Sequence, residues 1–324
     1  MDTADLHCDT ISKIYYSRKK GEQANLLSNS FQVDIKKMEK GGYFLQNFAV
    51  FVDIGEEENP YRCAKEQIEV FRREMEVNKE RIRQVQSVKE IEQNRREGVL
   101  SAVLTLEEGE ICQGDLKKLE EFYHMGVRMT TFTWNYENTL AKQAGLTETG
   151  IAFLEKMEEL GIVADVSHLC DAGIYDVLRY STKPFAASHS NARALCRHKR
   201  NLEDDMIRGI ADKGGVIGIN YYGLFLEQIP CRDPKEKGGK DIYYGGYSRV
   251  ERIADHILYV RQKGGNGCVA LGSDFDGTDG DLEMSDCSKT DLLERELRRR
   301  GLSEREVEDI FFRNALRVYR DCWR

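Results

Sequence analysis

The chain has 324 residues, of which 40% are hydrophobic and 32% charged, which excludes both a disulfide-stapled miniprotein and a disordered chain. Its 56 acidic and 48 basic residues give a formal net charge of -8, which argues against a protein that works mainly by binding nucleic-acid phosphates. The length fits two ordinary domains or one large α/β barrel, so the predicted strands must decide between them.

Short apolar runs recur along the chain between charged stretches, and each run is bounded by glycine or polar residues, as strands are. The run Val99–Leu106 is almost continuously apolar, which is typical of a strand covered on both faces in a parallel sheet. In chain order, the eight predicted strands are Asp5–His7, Phe44–Val52, Val99–Leu106, Val127–Thr133, Ile162–Val166, Phe185–Ser188, Val216–Asn220 and Cys268–Gly272.

Helical patterns fill the intervals between these strands. Within Cys63–Arg83, the apolar residues Ile68, Phe71, Met75 and Ile82 fall on one stripe and charged residues fill the rest, which predicts an amphipathic helix. The other predicted helices are Asp115–Met125, Glu148–Leu160, Ala172–Arg179, Glu203–Lys213, Ser248–Gln262, Lys289–Arg300, Ser303–Phe312 and Asn314–Asp321.

The alternation of strands and helices continues without a Pro/Gly/Ser-rich linker or a change in composition. It therefore favours a single α/β domain over residues 1–324, a closed (βα)8 barrel of the TIM type with additional C-terminal helices, over two doubly wound domains. The segment Tyr221–Tyr247 is long, weakly periodic and rich in Gly, Tyr and Lys, which predicts a functional or oligomerisation loop. An inert insertion explains this segment equally well.

Three of the six histidines lie at or beside the C-terminal ends of predicted strands, namely His7, His168 and His189. In a parallel barrel these ends converge on one face, so ligands that are far apart in sequence can share one site. Asp9 follows His7 by two positions, so on a strand both side chains would leave the same face and could hold one metal ion. Taken alone, the pair is more often a surface or helix-capping aspartate beside a hydrogen-bonded histidine.

Carboxylates occupy equivalent positions on other strands. Glu107 and Glu108 end the third predicted strand, and Asp274 and Asp276 follow the eighth. Each acid by itself is more often the N-cap of the next helix. Together with the histidines, however, candidate ligands follow five of the eight strands. Three histidines with two or three carboxylates are enough for a two-metal hydrolytic site.

No other catalytic chemistry is as well supported by the sequence. The Gly-x-Ser-x-Gly motif and the Walker-type phosphate loop are both missing, and the glycine pairs at 238–239 and 245–246 do not lead from a strand into a helix. Cys8 and Cys170 lie beside candidate ligands and could act as nucleophiles, although a small buried apolar residue is the simpler interpretation of each.

The candidate ligands belong to a larger set of motifs that occur in a fixed order along the chain. The motifs are Asp5-Leu6-His7-Cys8-Asp9-Thr10, Leu106-Glu107-Glu108-Gly109, Asp165-Val166-Ser167-His168, Ser188-His189-Ser190, Arg200-Asn201-Leu202-Glu203-Asp204-Asp205, Gly272-Ser273-Asp274-Phe275-Asp276-Gly277 and Asn314-Ala315-Leu316-Arg317-Val318. This set resembles the renal (membrane) dipeptidase family of zinc peptidases, family M19, over nearly the whole chain. The resemblance implies a (βα)8 metallo-hydrolase related to the amidohydrolases, which cleaves dipeptides, often with tolerance for a D residue at the C-terminal position.

The resemblance implies five metal ligands, with the first two on one zinc ion, the last two on a second and the glutamate as the bridge between them: His7, Asp9, Glu107, His168 and His189. We choose Glu107 over Glu108 because Glu107 follows the strand directly, as the family's bridging glutamate does before a Gly-Gly pair. In this chain, Glu108 stands in place of the first of those glycines. Two zinc ions would lower the pKa of a shared water and so supply a metal-bridging hydroxide as the nucleophile.

The resemblance also assigns roles around the metal ions. Asp274 would take the proton of the hydroxide and pass it to the leaving amine. Arg200, at the position of the family's carboxylate anchor, would bind the C-terminus of the dipeptide through a bidentate pair. Mammalian members have a substrate-binding histidine after the fourth strand, whereas this chain has Thr133-Trp134-Asn135. Trp134 offers only an indole N–H, so it either stabilises the substrate carbonyl differently or forms a wall of the pocket.

The sequence predicts a cytoplasmic enzyme without nucleic-acid or membrane partners. Its first residues are acidic where a signal peptide is basic, its apolar stretches are too short to span a bilayer, and its nine cysteines include no Cys-x-x-Cys pair. The resemblance implies a dipeptide as substrate and makes a homodimer plausible. Two alternatives stay open: a related amidohydrolase acting on N-acyl-amino acids or other small amides, suggested by Trp134, and a metal-binding barrel that lacks catalysis and serves as an interaction protein.

Overall fold

Eight parallel strands form a closed barrel in the computed structural model, which describes residues 1–230 and 243–323. Each strand pairs with its neighbours in sequence, and the first pairs with the last between Asp5 and Leu271, which closes the barrel. The barrel strands are β1 (Thr3–Asp5), β2 (Tyr43–Phe51), β3 (Leu100–Glu107), β4 (Val127–Thr131), β5 (Val163–Asp165), β6 (Ala186–Ala187), β7 (Val216–Ile219) and β8 (Val269–Leu271). The predicted (βα)8 fold is thereby confirmed.

Helices follow the strands, and most of them pack against the outside of the barrel. They are α1 (Thr10–Lys19), α2 (Ile35–Lys40), α3 (Pro60–Val77), α4 (Val88–Glu97), α5 (Leu116–His124), α6 (Glu148–Leu160), α7 (Asp171–Tyr180), α8 (Asp204–Asp212), α9 (Gly223–Leu226), α10 (Val250–Gly264), α11 (Asp291–Arg299), α12 (Glu304–Glu308) and α13 (Asn314–Cys322). A π-helical turn, Asp309–Arg313, joins α12 to α13. All the predicted helices overlap with these.

One predicted helix is wrong in its last turns, because α3 ends at Val77 and does not continue through the whole of Cys63–Arg83. The chain turns at Asn78, whose carbonyl oxygen accepts a hydrogen bond from the backbone N of Ile82 at 3.0 Å. Ile82–Gln84 then forms a short strand that pairs in parallel with the start of β3. Ile82 is therefore a strand residue and does not belong to the helical stripe.

Four helices were missed: α1, α2, α4 and the short α9. Helix α1 buries polar as well as apolar residues, including Thr10, Ser12 and Ser17, so no single apolar stripe marks it in the sequence. Helix α4 does carry a local signal, since Ser87 and Glu90 form a capping box at its N-terminus.

Two buried aspartates accept hydrogen bonds from the backbone of the loops at the C-terminal end of the barrel. Asp5 Oδ1, at the end of β1, accepts hydrogen bonds from the backbone N of His7 at 3.1 Å and of Ser273 at 3.0 Å. Asp165 Oδ1, at the end of β5, accepts one from the backbone N of Ser188 at 2.9 Å. Each aspartate ties the end of its own strand to the loop after an adjacent strand, and this fixes the backbone from which the candidate ligands project.

Gly218 in β7 and Gly272 after β8 pack against the carbonyl oxygen of Ser188. A Cβ would approach that oxygen to 2.0 Å at Gly218 and to 1.8 Å at Gly272, so neither site has room for a side chain. We expect Gly218→Ala to lower the free energy of unfolding by about 1–3 kcal/mol, the usual cost of overpacking. Thermal or urea unfolding measures this loss. Gly267→Ala is the control, because no atom of the described residues lies within 4 Å of a Cβ at that exposed position. Equal stability of the two variants would contradict the prediction.

The predicted loop Tyr221–Tyr247 contains regular structure at both ends. It includes α9 and two short strands, Gln228–Pro230 and Tyr243–Gly245, which pair antiparallel. Residues 231–242 lie outside the described residues, so the role of the loop stays a prediction. Among the helices that the structure describes, none combines the length and the apolar character needed to cross a bilayer.

Candidate metal centre

Six side chains that the sequence singled out converge at the C-terminal ends of the barrel strands: His7, Asp9, Glu107, His168, His189 and Asp274. His7 Nε2 lies 3.2 Å from Asp9 Oδ2 and 3.2 Å from Glu107 Oε2. Its distance to Asp274 Oδ1 is 3.8 Å. His7 therefore lies at the centre of one half of the cluster, among three carboxylates.

Glu107 connects this half to the other two histidines. Its second carboxylate oxygen, Oε1, lies 2.9 Å from His168 Nε2 and 3.8 Å from His189 Nε2. The two Nε2 atoms are themselves only 2.9 Å apart. One carboxylate thus reaches all three histidines, with one oxygen toward each half of the cluster.

The backbone around the ligands differs from the arrangement that the sequence predicted. β1 ends at Asp5, so His7 and Asp9 lie beyond the strand and not on one face of it, as the spacing had suggested. Asp9 takes the N-cap position of α1, but its side chain makes no capping hydrogen bond and stays directed to His7. His168 and Asp274 adopt positive φ angles of 68° and 60°, a conformation that is costly for residues other than glycine and is concentrated at functional sites.

Hydrogen bonds on the far side of two imidazole rings fix their tautomers. Ser188 Oγ donates to Asp165 Oδ2, so the same oxygen must accept from His189 Nδ1, which lies 2.7 Å away. His168 Nδ1 lies 3.2 Å from the side-chain oxygen of Asn135, which can only accept. Both rings therefore carry hydrogen on Nδ1 and present the Nε2 lone pair to the cluster, as metal-binding histidines do.

Burial dominates the electrostatics of the cluster. It raises the pKa of Glu107 to about 8 and that of Asp274 to about 6, and the nearby Asp9 carboxylate acts in the same direction on both. Burial also opposes a charge on His7, yet the Glu107 and Asp9 carboxylates raise the pKa of His7 well above its usual range. The pKa values of His168 and His189 are lowered well below the usual range by burial, so both rings are neutral.

The donor set fits divalent cations. Asp9 Oδ1 is a buried oxygen without a hydrogen-bond partner among the described residues, and the Nε2 lone pairs of His168 and His189 face each other with no proton between them, because both rings carry their hydrogen on Nδ1. Two groups of side chains, which share His7, could each hold an ion, because the donor atoms within each group all lie within 4.8 Å of one another. The groups are His7, Glu107 and His189, and His7, Asp9 and Asp274. Neutral imidazole nitrogens with carboxylate oxygens are typical ligands of a catalytic metal centre.

Glu108 lies outside the cluster although it is buried. Its carboxylate accepts hydrogen bonds from the backbone N of Glu110 and Trp134, at 2.9 and 2.8 Å, and from Asn138 Nδ2 at 2.6 Å. Its backbone has a positive φ of 92°. Asp276 is likewise occupied, since it accepts hydrogen bonds from Thr10 Oγ1, at 2.7 Å, and from the backbone N of residues 32 and 33. Both acids hold loops in place.

The cluster forms the floor of a cleft of about 790 Å³. Arg200 and Trp134, the two candidate substrate-binding residues, both line this cleft. The Trp134 ring packs against Phe51, with ring centroids 4.9 Å apart, and lies 6.1 Å from the His168 ring. Trp134 therefore forms an aromatic wall beside the cluster.

Arg200 is 8% exposed, and burial lowers the pKa of its guanidinium to about 10. Its Nε has no hydrogen-bond partner within residues 1–230 and 243–323, and its Nη2 makes one long contact of 3.5 Å with the carbonyl oxygen of His189. Among the described residues, no carboxylate forms an ion pair or a hydrogen bond with it. A buried, unpaired guanidinium at a cleft wall is suited to bind an anionic group that enters the cleft.

The two candidate cysteine nucleophiles have different surroundings. The Cys8 thiol is fully buried, and burial raises its pKa well above the usual range. Cys170 is the N-cap of α7, where its sulfur accepts from the backbone N of Gly173 and donates to the carbonyl oxygen of Lys142. Neither side chain lines the cleft above the cluster.

Sequence reasoning assigned no role to several residues that shape the site: Asn135, Asp165, Ser188 and Asn220. Asn220 Nδ2 donates to Asp274 Oδ2 at 2.8 Å and so orients that carboxylate. Ser188 lies next to the candidate ligand His189, and Asp165 and Asn220 lie at strand ends. These positions were the sequence signal that could have indicated a role in the site. Their partners come from other strands, and only the folded chain shows them.

Comparison with known proteins places this architecture among peptidases. The family described as membrane dipeptidase (peptidase family M19) matches residues 1–323. A relative from Klebsiella pneumoniae, described as an uncharacterized protein in the pqqA 5′ region, is 32% identical over 255 residues, which cover 75% of this chain and 90% of the relative.

The fold of the chain is shared by solved structures, among them two metallo peptidases. The dipeptidase AC, a metallo peptidase of family M19, superposes with a TM-score of 0.88 at 23% identity, covering 100% of this chain and 99% of its own. A metallo peptidase from Rhodobacter sphaeroides, solved with a phosphinate mimic of the dipeptide L-Ala-D-Ala, has a TM-score of 0.85 at 22% identity, covering 100% and 99%.

Proposed function

The chain belongs to the membrane dipeptidase family, peptidase family M19, a family of metallo-dipeptidases, and from this membership we propose that it hydrolyses dipeptides at a two-zinc centre. The observation that carries the proposal is the position of Glu107, whose two oxygens face two separate sets of donors. His7 and Asp9 would hold one ion, His168 and His189 the other, and Glu107 would bridge them. The arrangement of nitrogen and oxygen donors is one that zinc accepts readily.

When bound, the zinc pair lowers the pKa of a shared water and polarises the scissile carbonyl. The chain supplies the group that moves the proton. Asp274 Oδ1 faces the cluster while its Oδ2 is held by Asn220, so one oxygen stays available at a fixed position. Asp274 would accept the proton of the attacking water and donate it to the leaving amine, as a general base and then a general acid.

Arg200 would bind the C-terminal carboxylate of the dipeptide. Its guanidinium is buried in the wall of the cleft and has no carboxylate partner among the described residues, so an entering carboxylate would gain a charge-assisted pair at low dielectric. This contact would orient the peptide bond over the cluster. It would also select dipeptides over longer peptides whose carboxylate lies farther from the bond to be cleaved.

Stereochemistry at the C-terminal residue is part of the proposal. The Rhodobacter sphaeroides peptidase of the same fold binds a mimic of L-Ala-D-Ala, which supports tolerance of a D residue here. Trp134 would contact the substrate as an apolar wall, together with Phe51. An apolar wall also suits an acyl group, so the second candidate is a related amidohydrolase acting on N-acyl-amino acids or other small amides.

A substrate panel separates these functions. L-Ala-L-Ala, L-Ala-D-Ala and their N-acetylated forms would be incubated with the zinc-loaded protein, and released alanine measured. A dipeptidase is expected to cleave the free dipeptides and to leave the N-acetylated forms intact. Cleavage of the N-acetylated forms at equal or higher rates would instead support the amidohydrolase, and would overturn the dipeptidase proposal.

The hydrogen bond behind His189 gives a test of metal affinity. Ser188→Ala removes the group that accepts from His189 Nδ1. It is expected to weaken zinc binding about 10–100-fold, the usual effect of losing an outer partner of a ligating histidine. Competition with a chromogenic chelator measures the affinity. Ser190→Ala is the matched control, because Ser190 Oγ is buried but has no hydrogen-bond partner among the described residues. Equal affinities for the two variants would refute the prediction.

A further inference from the structure

His256, on α10, is a buried histidine outside the metal cluster, and both of its ring nitrogens are hydrogen-bonded to backbone atoms. Nδ1 accepts from the backbone N of Ala192 at 3.1 Å, and Nε2 donates to the carbonyl oxygen of Leu226 at 3.1 Å. This pattern requires the neutral ring with its hydrogen on Nε2. Burial keeps the ring neutral, because it lowers the pKa of His256 to about 4.

Of the two segments joined by His256, one carries Arg200 and the other contacts its guanidinium. Ala192 lies between β6 and α8, in the stretch of residues 190–203 that carries Arg200 and is called the Arg200 loop below. Leu226 is the last residue of α9, and the ring of the preceding Phe225 lies 5.5 Å from the Arg200 guanidinium carbon. One imidazole therefore connects the backbone that carries the guanidinium to the helix that supports its face.

A second side chain makes a parallel connection. Asn201 Nδ2 donates to the carbonyl oxygen of Cys196, at 2.8 Å within the Arg200 loop, and to that of Phe225, at 2.9 Å in α9. The ring of His198 also stacks near Phe225, with centroids 4.6 Å apart. The Arg200 loop is thus attached to α9 next to Arg200, while His256 attaches it at the opposite end of the loop.

Arg200 depends on these attachments because its guanidinium has little else to fix it. Its Nε is without a partner in the described part of the chain, and the contact of its Nη2 with the carbonyl oxygen of His189 is 3.5 Å long. The face of the ring of Phe225 and the course of the loop therefore determine where the guanidinium lies. Groups that bind a reacting substrate lose much of their effect when they shift by about 1 Å.

We propose that His256 is a positioning residue for substrate binding, which holds the Arg200 loop against α9 and so places the guanidinium for the substrate carboxylate. This inference rests on the proposed function of Arg200 as the carboxylate anchor. His256 lies on the outer side of the loop and does not line the cleft above the cluster. Its effect is therefore expected in KM, through Arg200, and not in the chemical step.

The test compares His256→Leu, which fills the space without hydrogen bonds, with His256→Gln, which can still donate and accept. For His256→Leu, KM for L-Ala-L-Ala is expected to rise about tenfold, equivalent to about 1.4 kcal/mol, with kcat changed less than about twofold. His256→Gln should recover most of the loss. In an Arg200→Gln background, His256→Leu should have little further effect on KM, because the residue on which it acts is gone.

Hydrogen exchange gives a readout that needs no substrate. In His256→Leu, backbone amides of residues 190–203 and of α9 should exchange faster, while those of β1 and β3 stay protected. Asn201→Ala should accelerate exchange in the same two segments, so it serves as the second variant if His256→Leu folds poorly.

The outcomes are distinguishable. Three results for His256→Leu would each overturn the role of His256. The first is an unchanged KM together with unchanged hydrogen exchange, and the second is a fall in kcat equal to the fall in kcat/KM. The third is the same effect on KM with and without Arg200. If the wild-type protein cleaves no dipeptide, the proposed function fails instead. Even then, hydrogen exchange as slow as in the wild type in both His256→Leu and Asn201→Ala would show that these side chains do not attach the Arg200 loop to α9.

Discussion

Replacement of Asp274 by asparagine is expected to lower kcat by about 10²–10⁴-fold, the usual contribution of a general acid and base. Asparagine keeps the shape of the side chain, and its oxygen can still accept the hydrogen bond that Asn220 Nδ2 makes to Asp274 Oδ2. It cannot take up the proton of the attacking water. Zinc content, measured by elemental analysis, should stay near that of the wild type, because the five proposed ligands are unchanged.

Asp276→Asn is the matched control for this variant. Asp276 is also a buried aspartate with a positive φ in the same segment, but its oxygens are occupied by Thr10 and by backbone donors. We expect it to reduce stability and to leave kcat within a few-fold. Unchanged turnover in Asp274→Asn would remove Asp274 from the mechanism. Loss of zinc in that variant would instead make Asp274 a ligand.

Replacement of Glu107 by glutamine is expected to disrupt the centre itself. The carboxylate is the group that reaches all three histidines, at 2.9, 3.2 and 3.8 Å. An amide of the same shape offers one oxygen and carries no charge, so it cannot bridge two cations. We expect less than one zinc ion per chain and a fall in kcat of about 10³-fold or more, because several kcal/mol of charge stabilisation depend on the metal pair.

Glu108→Gln provides the neighbouring control. Glu108 is as deeply buried as Glu107, but its carboxylate accepts from Trp134, Asn138 and Glu110 and takes no part in the cluster. Its replacement should lower the melting temperature and leave zinc content near that of the wild type. If Glu108→Gln lost the metal and Glu107→Gln kept it, the choice of Glu107 as the bridge would be wrong.

The barrel could be predicted because each strand is short, apolar and flanked by a change of pattern. Prediction failed where such a pattern is missing. Helix α1 buries polar residues such as Ser12 and Ser17, so the sequence shows no apolar stripe there. The end of α3 depends on a turn at Asn78, which composition does not reveal.

The candidate ligands could be found because they follow strand ends, and parallel strands bring those ends together. The reason given for His7 and Asp9 was nevertheless wrong, since β1 ends at Asp5 and the two side chains meet through the turn into α1. The roles of Glu108 and His256 were beyond the sequence. Both act on backbone atoms of segments that only the fold brings near.

The central claim is a two-zinc centre that cleaves dipeptides, and metal analysis paired with hydrolysis tests it most directly. Protein purified without chelator would be analysed for metal content and assayed with L-Ala-L-Ala and L-Ala-D-Ala, before and after metal removal and after zinc is restored. We expect about two zinc ions per chain, loss of cleavage on removal and recovery with zinc. Failure to bind metal under any loading condition, or cleavage that persists without metal, would contradict the account.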